Sequence, residues 1–419
     1  MQSVEITGIA AGGAGVGRFA DGRVVFIHRT SPGDRLEARV LSTRKRWARA
    51  ELVRMNEPGP DRRDPPCPLY ARCGGCALQH MNRDAQVRAK AMIVADALRR
   101  IGGLEVDVPE VVTAATEFEY RNRVSFQLRR LHTDRVVAGF HELDRPATIL
   151  DVDERCLLPE PAIRDAWRVL RREWGPSAHR LPAGESLRLT LQSTGSGDVG
   201  LMIHDGFGEG RPDEILERVP GIVAIWKTGP DGKPVHLAGR TALHDDDGVD
   251  LEVGVFTQVN RSVARRLEAH IRSLLGDVTD TRIIDAYCGV AGRAIRLAEA
   301  GARVTGIETN PRAVAEARRR SVPGFDIVEG LVEDELAGVL PADVVIVNPP
   351  RAGIDGTVCD AIHGRSVARV IYVSCDPATL ARDCARLAPR FTMKGVRCFD
   401  MFPQTAHIET VADLRCVTT

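Results

Sequence analysis

Residues 282–308 constrain the fold of this chain more than any other stretch. An apolar run at 282–287 is typical of a buried strand, and it leads through a glycine-containing turn into a helix that ends at Gly301. A second apolar run follows and ends in Glu308. A strand, turn, helix and strand with an acidic residue about 20 positions on form the βαβ layout of a nucleotide-binding α/β sheet.

The same stretch narrows the class of ligand. The Glu308 carboxylate can accept from both hydroxyls of a ribose. The turn, Cys288-Gly289-Val290-Ala291-Gly292, is not the G-x-G-x-x-G loop of dinucleotide sites. Because S-adenosylmethionine has no pyrophosphate to cradle, this turn favours S-adenosylmethionine over a dinucleotide. A further apolar run at 342–347 ends in Asn348-Pro349-Pro350-Arg351.

A second strand-to-helix junction lies at residues 369–377. Its apolar run ends in Cys375, and Asp376-Pro377 then supplies a helix N-cap and a first helical residue. The pattern predicts that Cys375 lies at the carboxyl edge of the sheet, where ligands of α/β proteins bind. A helix N-terminus is expected to lower the pKa of this thiol. A buried structural cysteine is the alternative.

A thiolate beside a methyl donor points to pyrimidine C5 chemistry, because C5 attacks a methyl sulfonium only after a nucleophile adds at C6. Methylation of an amine needs no cysteine. A base must then remove the C5 proton, and Glu409 is our candidate. A strand at 406–414 would place His407 on the same face as Glu409, as a helper or as a structural histidine. The target base must also leave its stack.

Three cysteines, Cys67, Cys73 and Cys76, follow the spacing C-x5-C-x2-C with glycines between them, which indicates a ligand set. Cys156 is the one other cysteine in the first 280 residues and is the candidate fourth ligand. Four thiolates fit a [4Fe–4S] cluster. Structural zinc is the alternative, although zinc sites usually show two close pairs.

Residues 1–57 alternate short β-like runs with turns, which predicts a small barrel, and the glycine-rich segment 12–17 is interpreted as a β-turn. Between Arg39 and Arg54 there are six basic residues and one acidic residue. The cluster Arg44-Lys45-Arg46-Trp47 suits single-stranded RNA, with a solvated loop as the alternative. Further along, Arg121, Arg123 and Ser125 would share one strand face, facing either substrate or solvent.

Overall charge does not discriminate between partners, since 57 basic residues balance 57 acidic ones. The start of the chain lacks a signal-peptide pattern, and no apolar run reaches the length of a membrane span. We therefore expect a cytoplasmic protein with no membrane association, whose cysteines act as ligands or catalysts. No obligate protein partner is evident.

Together these motifs resemble the RNA uridine-5-methyltransferases, specifically the iron–sulfur, TRAM-domain branch that acts on ribosomal or transfer RNA. The resemblance rests on 374–383 (SCDPATLARD), 400–409 (DMFPQTAHIE), 256–260 (FTQVN) and the four cysteines named above. It implies an α/β protein with three parts. Residues 1–57 would be an OB-like TRAM β-barrel that binds RNA, 67–250 a central α+β iron–sulfur domain, and 251–419 a Rossmann-like S-adenosylmethionine-dependent catalytic domain.

The resemblance also implies roles for individual residues. Cys375 would be the nucleophile and Glu409 the proton acceptor, while the methyl-donor pocket would be lined by Gln258, Tyr287, Glu308 and Asn348. Asn348 departs from the family pattern, in which Asp usually precedes Pro-Pro-Arg; it keeps an acceptor oxygen but loses the charge.

Two rival interpretations remain open at this point. Asn-Pro-Pro is typical of exocyclic-amine methyltransferases, although an aromatic residue usually follows it there and Arg351 follows it here. The second rival is an RNA-binding iron–sulfur protein whose methyltransferase half is inactive.

Overall fold

The computed structural model describes residues 1–131, 134–244, 250–251, 253, 257–320, 322–364 and 366–417. The chain begins with a closed five-stranded barrel in the order β1-β2-β3-β5-β4. Its strands are β1 Gln2–Ile9, β2 Gly15–Arg18, β3 Val24–Ile27, β4 Arg35–Thr43 and β5 Trp47–Glu57. Alternate residues fill the barrel, among them Val25, Ile27 and Leu36, each fully buried. The predicted barrel is therefore present.

The glycine-rich segment forms a turn and then enters β2, so the β-turn interpretation holds for its first half. Both glycines of β2 lie so close to neighbouring residues that a side chain at either position would clash. A Cβ on Gly17 would lie 2.5 Å from the Glu5 carbonyl oxygen, and one on Gly15 would lie 2.0 Å from Thr30 Oγ1.

A long helix, α1 Arg83–Arg100, connects the barrel region to the rest of the chain. The helix begins after Asn82, whose Oδ1 accepts from the Ala85 N–H at 2.9 Å as an N-cap. The short strand β6 Val111–Val112 follows.

A seven-stranded sheet with the order β13-β12-β11-β10-β7-β8-β9 forms the middle of the molecule. Its strands are β7 Arg123–Arg130, β8 Val136–His141, β9 Ile149–Asp151, β10 Ser186–Ser193, β11 Val199–His204, β12 Ile222–Thr228 and β13 Pro234–Gly239; the helices α2 Pro161–Glu173 and α3 Pro212–Arg218 and a 3-10 turn Pro176–Ala178 accompany it. Trp167 of α2 stacks on Phe126 of β7 with 3.9 Å between ring centroids and joins helix to sheet. A two-stranded ribbon, β14 Leu243–His244 and β15 Asp250–Leu251, follows.

The last part of the chain builds an eight-stranded sheet in the order β18-β17-β16-β19-β20-β22-β21-β6. Its elements are α4 Arg261–Leu275, β16 Arg282–Ala286, α5 Gly292–Glu299, β17 Arg303–Glu308, α6 Pro311–Arg319, β18 Phe325–Glu329, α7 Val332–Val339, β19 Ala342–Val347, α8 Gly356–Gly364, β20 Val367–Ser374, α9 Pro377–Leu387, β21 Phe391–Phe399 and β22 Glu409–Cys416. The five neighbouring strands β16 to β20 run parallel, as the βαβ pattern predicts. Strand β22 is antiparallel to β20, and β21 is antiparallel to β22.

The edge strand β6 comes from residues that precede the middle sheet in sequence, and it pairs with Cys398 and Phe399 of β21. Helix α1 also packs here, since Val94 and Leu98 share a buried cluster with Ala381 and Ile408. The residues between the barrel and residue 250 therefore form the seven-stranded sheet and also contribute a strand and a packed helix to the C-terminal sheet. Within the described ranges no helix combines the length and apolar character needed to cross a bilayer.

Candidate active site

Four neighbouring parallel strands end at one edge of the C-terminal sheet and carry the predicted site residues there. Tyr287 follows β16, Glu308 ends β17, Asn348 follows β19 and Cys375 follows β20. Because all four strands point the same way, their carboxyl ends meet at this edge.

Cys375 lies between the end of β20 and the first turn of α9. Asp376 caps that helix, since its Oδ1 accepts from the N–H groups of Ala378 at 2.9 Å and Thr379 at 3.0 Å. The Ser374 hydroxyl donates to the Asp376 carbonyl at 3.0 Å and closes the junction. The half-buried thiol is thereby held at the tip of a tight strand-to-helix turn.

The electrostatics of the thiol differ from the expectation. Burial, followed by the negative charge of Glu409, raises the pKa of Cys375 above its usual value, while the Arg351 guanidinium hydrogen bonds with the thiol and opposes the rise. The prediction that the helix N-terminus lowers this pKa is wrong, because desolvation of the thiolate outweighs the nearby favourable charges.

Glu409 is the first residue of β22 and is buried, with 5% of its surface exposed. Strand register brings it to Cys375, because Ser374 pairs with Thr410 and the next residues along the two strands are Cys375 and Glu409. Burial raises the pKa of Glu409 to about 7, and its hydrogen bond to Gln258 and the Arg351 charge oppose the rise. Its Oε2 atom has no hydrogen-bond partner among the residues that the structure describes.

Gln258, which was predicted to line the methyl-donor pocket, hydrogen bonds through its side chain with the carboxylate of Glu409. Its backbone is fixed by Asn122, whose Nδ2 donates to the Gln258 carbonyl at 2.9 Å and whose N–H donates to the Val259 carbonyl at 3.0 Å. Neither Asn122 nor its contact was anticipated from the sequence. Phe256, the first residue of the 256–260 motif, lies outside the described residues.

Glu308 occupies the acidic position expected of a nucleotide site. Its Oε2 accepts from the Gly289 N–H at 2.9 Å and its Oε1 from the Asn310 N–H at 2.8 Å. Since each carboxylate oxygen can accept two hydrogen bonds, the carboxylate retains capacity for two ribose hydroxyls. This remaining acceptor capacity fits the sugar hydroxyls of a nucleoside cofactor.

The turn between β16 and α5 is strained at two residues that are not glycine. Tyr287 has φ 62° and Ala291 has φ 57°, both in the left-handed region, which costs about 1 kcal/mol or more at each. Below the turn, buried Asp285 pairs with Arg293 of α5 at 3.3 Å. Burial raises the pKa of Asp285 to about 6. Such strain persists where a surrounding structure enforces it, and this turn borders the Glu308 carboxylate.

Asn348 lies half-buried at the end of β19, and its N–H donates to the Ala286 carbonyl at 3.3 Å. Three residues on, exposed Arg351 places its side chain against Cys375. Sequence reasoning used Arg351 only to argue against amine chemistry and missed this contact. The signal was its place directly after Asn348-Pro349-Pro350.

His407 does not share the strand of Glu409, because β22 begins at Glu409 rather than at residue 406. It is exposed and lies edge-on to Phe402, with ring centroids 5.9 Å apart. Partial desolvation of its ring by neighbouring residues and the charge of Arg351 lower the pKa of His407. The argument that placed it beside Glu409 by strand alternation is therefore wrong.

The four predicted cysteine ligands line one small cavity, together with Phe140 and Val152. Burial raises the pKa of both Cys76 and Cys156 to about 12. Across the described ranges, no group of three or more His, Cys, Asp or Glu side chains is arranged to hold a metal ion. The four cysteines therefore surround one cavity, and the [4Fe–4S] cluster remains a prediction.

Comparison with known proteins bears directly on this geometry. The family model described as tRNA (Uracil-5-)-methyltransferase matches residues 335–415, which include both Cys375 and Glu409. The TRAM domain model matches residues 1–53, which cover most of the barrel.

Relatives align along the whole chain. An uncharacterized RNA methyltransferase of Thermosynechococcus vestitus is 33% identical over 98% of this chain and 96% of its own length. The 23S rRNA (uracil(1939)-C(5))-methyltransferase RlmD of Azoarcus sp. is 31% identical over 98% and 99%. The crystal structure of Pyrococcus abyssi tRNA (uracil-54, C5)-methyltransferase in complex with S-adenosyl-L-homocysteine superimposes with a TM-score of 0.76 at 26% identity, covering 99% and 100%. The chain therefore belongs to the family of S-adenosylmethionine-dependent RNA uracil-5-methyltransferases.

Proposed function

We propose that this chain methylates C5 of one uridine in 23S ribosomal RNA through a covalent bond between Cys375 and C6. The observation that carries the mechanism is the pairing of β20 with β22, which sets a thiol and a carboxyl group side by side at the nucleotide edge. The ribosomal target is supported by the Azoarcus relative. Transfer RNA, the substrate of the superimposed Pyrococcus enzyme, is the alternative.

The chemistry runs in two stages. The Cys375 sulfur adds to C6, and the C5=C6 electron pair moves onto the C4 carbonyl as an enolate. S-adenosylmethionine, when bound, supplies an electrophilic methyl group on sulfur. C5 then forms a bond to that methyl as the carbon–sulfonium bond breaks. Removal of the C5 proton restores the double bond and expels the Cys375 thiolate.

Glu409 is the proposed acceptor of the C5 proton. Its pKa of about 7 lies close to neutral pH, which suits a general base. Arg351 hydrogen bonds with the Cys375 thiol and would stabilise the thiolate before addition and after elimination. Gln258 would hold the carboxylate in place. We assign the donor's ribose to Glu308 and its remaining contacts to Tyr287 and Asn348.

The barrel offers a surface for RNA at the turn between β4 and β5. Arg44, Lys45 and Arg46 are exposed there, and Trp47 meets Phe26 edge-on at 6.1 Å with Arg49 over its ring at 5.8 Å. Cations beside aromatic rings suit the phosphates and bases of a single strand. On β7, Arg123 and Ser125 alternate with buried Val124 and Phe126, so they face away from the core, in line with the proposed substrate-facing stripe.

We also propose that the cysteine cavity holds a [4Fe–4S] cluster bound by Cys67, Cys73, Cys76 and Cys156. Each iron of such a cluster takes one thiolate, so its ligands stand farther apart than those of a single ion. The four thiols around this cavity match the number of thiolates that such a cluster takes. The Gly75 N–H, which donates to Cys73 Sγ at 3.4 Å, provides the kind of hydrogen bond that stabilises bound thiolates.

The target is tested by mapping 5-methyluridine in ribosomal and transfer RNA from cells with and without the gene. We expect one position in 23S RNA, equivalent to uracil 1939 of the Azoarcus enzyme's name, to lose its methyl group. Wild-type protein should restore it and Cys375→Ala should not. Loss from transfer RNA alone would move the target there, and no change in either RNA would refute the proposal.

The covalent step is tested with RNA that carries 5-fluorouridine. The fluorine at C5 cannot leave as a proton does, so wild-type enzyme with S-adenosylmethionine should form an adduct stable to denaturation. Peptide mass spectrometry should locate it at Cys375. Cys375→Ala should give no adduct while binding S-adenosylmethionine normally, and Cys359→Ala, at a buried cysteine in α8, is the matched control.

Glu409→Gln tests the base. It should add and methylate but fail to eliminate, so RNA with ordinary uridine becomes trapped on the enzyme and turnover falls by roughly 10²- to 10⁴-fold. In the wild-type enzyme, elimination should speed up as the pH rises through about 7, because the base acts only when ionised. A variant that turns over at the wild-type rate would exclude Glu409 from this role.

The cluster is tested by iron and acid-labile sulfide analysis of protein purified without oxygen. We expect about four irons per chain, their loss in Cys73→Ser with lower solubility and weaker RNA binding, and their retention in the control Cys416→Ser. Zinc in place of iron would support the alternative, and a metal-free wild-type protein that folds and binds RNA normally would refute both.

A further inference from the structure

The segment that leads into Glu409 is anchored by residues from the N-terminal half of the chain. This segment, residues 400–408, connects β21 to β22 and is largely buried, with Met401, Gln404 and Ile408 fully so. On its C-terminal side, Glu409 is fixed by strand pairing. On its N-terminal side the position of Glu409 depends on how this segment is held.

Helix α1 buries a lysine against the start of the segment. The Lys90 side chain is fully buried, and its Nζ donates to Asp400 Oδ1 at 2.5 Å and to the Phe402 carbonyl at 3.0 Å. A buried ammonium group costs several kcal/mol unless it is paired and hydrogen-bonded. Both partners of Lys90 belong to the segment, so its charge is neutralised only while the segment keeps this path.

Gln404 forms the second anchor. It is fully buried with φ 70°, a left-handed conformation that is unfavourable for glutamine. Its carbonyl accepts from the N–H groups of Ala77 and Leu78, both at 3.0 Å. Its own N–H donates to Gln86 Oε1 at 3.1 Å, and Gln86 Nε2 donates back to Gln404 Oε1 at 3.0 Å. These bonds hold a conformation that the residue would otherwise leave.

The two anchors join the cysteine-bearing segment to the candidate base. Ala77 and Leu78 directly follow Cys76, and Lys90 and Gln86 lie one turn apart on α1. The barrel packs closely against both of these segments, because a Cβ on Gly13 would lie 2.6 Å from the Ala77 Cβ and 3.3 Å from the Ala406 Cβ. Tyr120 adds a hydrogen bond from its hydroxyl to the Pro403 carbonyl at 2.9 Å.

We propose that Lys90 and Gln86 are positioning residues for proton abstraction, holding residues 400–408 so that the Glu409 carboxylate meets the C5 proton. This inference rests on the proposed function. A displacement of about 1 Å at a reacting group can cost roughly 10²-fold in rate. Cys375 depends on β20 and α9 instead, so addition and methyl transfer are not held by these anchors. Loosening them therefore slows elimination selectively.

The test compares Gln86→Leu and the paired variant Lys90→Met/Asp400→Asn, which removes both buried charges together. Arg88→Ala is the matched control, since Arg88 lies on α1 but pairs with Asp61, at 2.7 Å. Each protein is assayed for melting temperature, S-adenosylmethionine binding, adduct formation with 5-fluorouridine RNA, and turnover on ordinary RNA. Denaturing gels report how much ordinary RNA stays covalently bound.

We expect both test variants to bind the donor and form the fluorouridine adduct as the wild type does. Turnover should fall roughly 10- to 100-fold, with ordinary RNA accumulating on Cys375, and the control should match the wild type. Unchanged turnover, or equal losses in adduct formation and turnover, would overturn this inference while leaving the covalent mechanism standing. Failure of the wild-type enzyme to form any adduct would instead refute the proposed function.

Discussion

The antiparallel pairing of β22 with β20 is the constraint on which the site depends. Strands β16 to β20 present their carboxyl ends at the edge where the nucleotide is expected, but β22 presents its amino end there. Because β22 runs antiparallel to β20, Glu409 at the start of β22 lies beside Cys375, which directly follows β20. A parallel β22 would have carried Glu409 to the opposite edge of the sheet.

This closeness sets the electrostatics of the pair. Burial raises the pKa of both groups, and the charge of Glu409 raises that of the thiol further. Both groups therefore favour their neutral forms more than they would in water. Arg351 is the described cation that hydrogen bonds with the thiol and favours its ionised form. The charge of Arg351 therefore favours the thiolate, a contribution that sequence reasoning did not anticipate.

Local patterns in the sequence were sufficient to predict several elements. Asp376 caps its helix as expected, since an N-cap depends on residues two or three positions away. The barrel and the parallel strands follow from apolar runs and their spacing. The contact between Arg351 and Cys375, the pairing of β6 with β21 and the burial of Lys90 were not predicted, because each joins residues far apart in the chain. The pKa of Cys375 was misjudged for the same reason, as desolvation depends on everything that packs around a group.

These long-range contacts explain why the catalytic sheet cannot be treated as a separate unit. Without α1, the Asp400 carboxylate would be buried without its ammonium partner, which is strongly unfavourable. Without residues 77–78, the Gln404 carbonyl would lose both backbone donors while its left-handed conformation remained. Strand β21 would lose β6, its neighbour at the edge. Residues of the N-terminal half thus complete the hydrogen bonding of residues 400–408, so the position of the candidate base Glu409 depends on both halves of the chain.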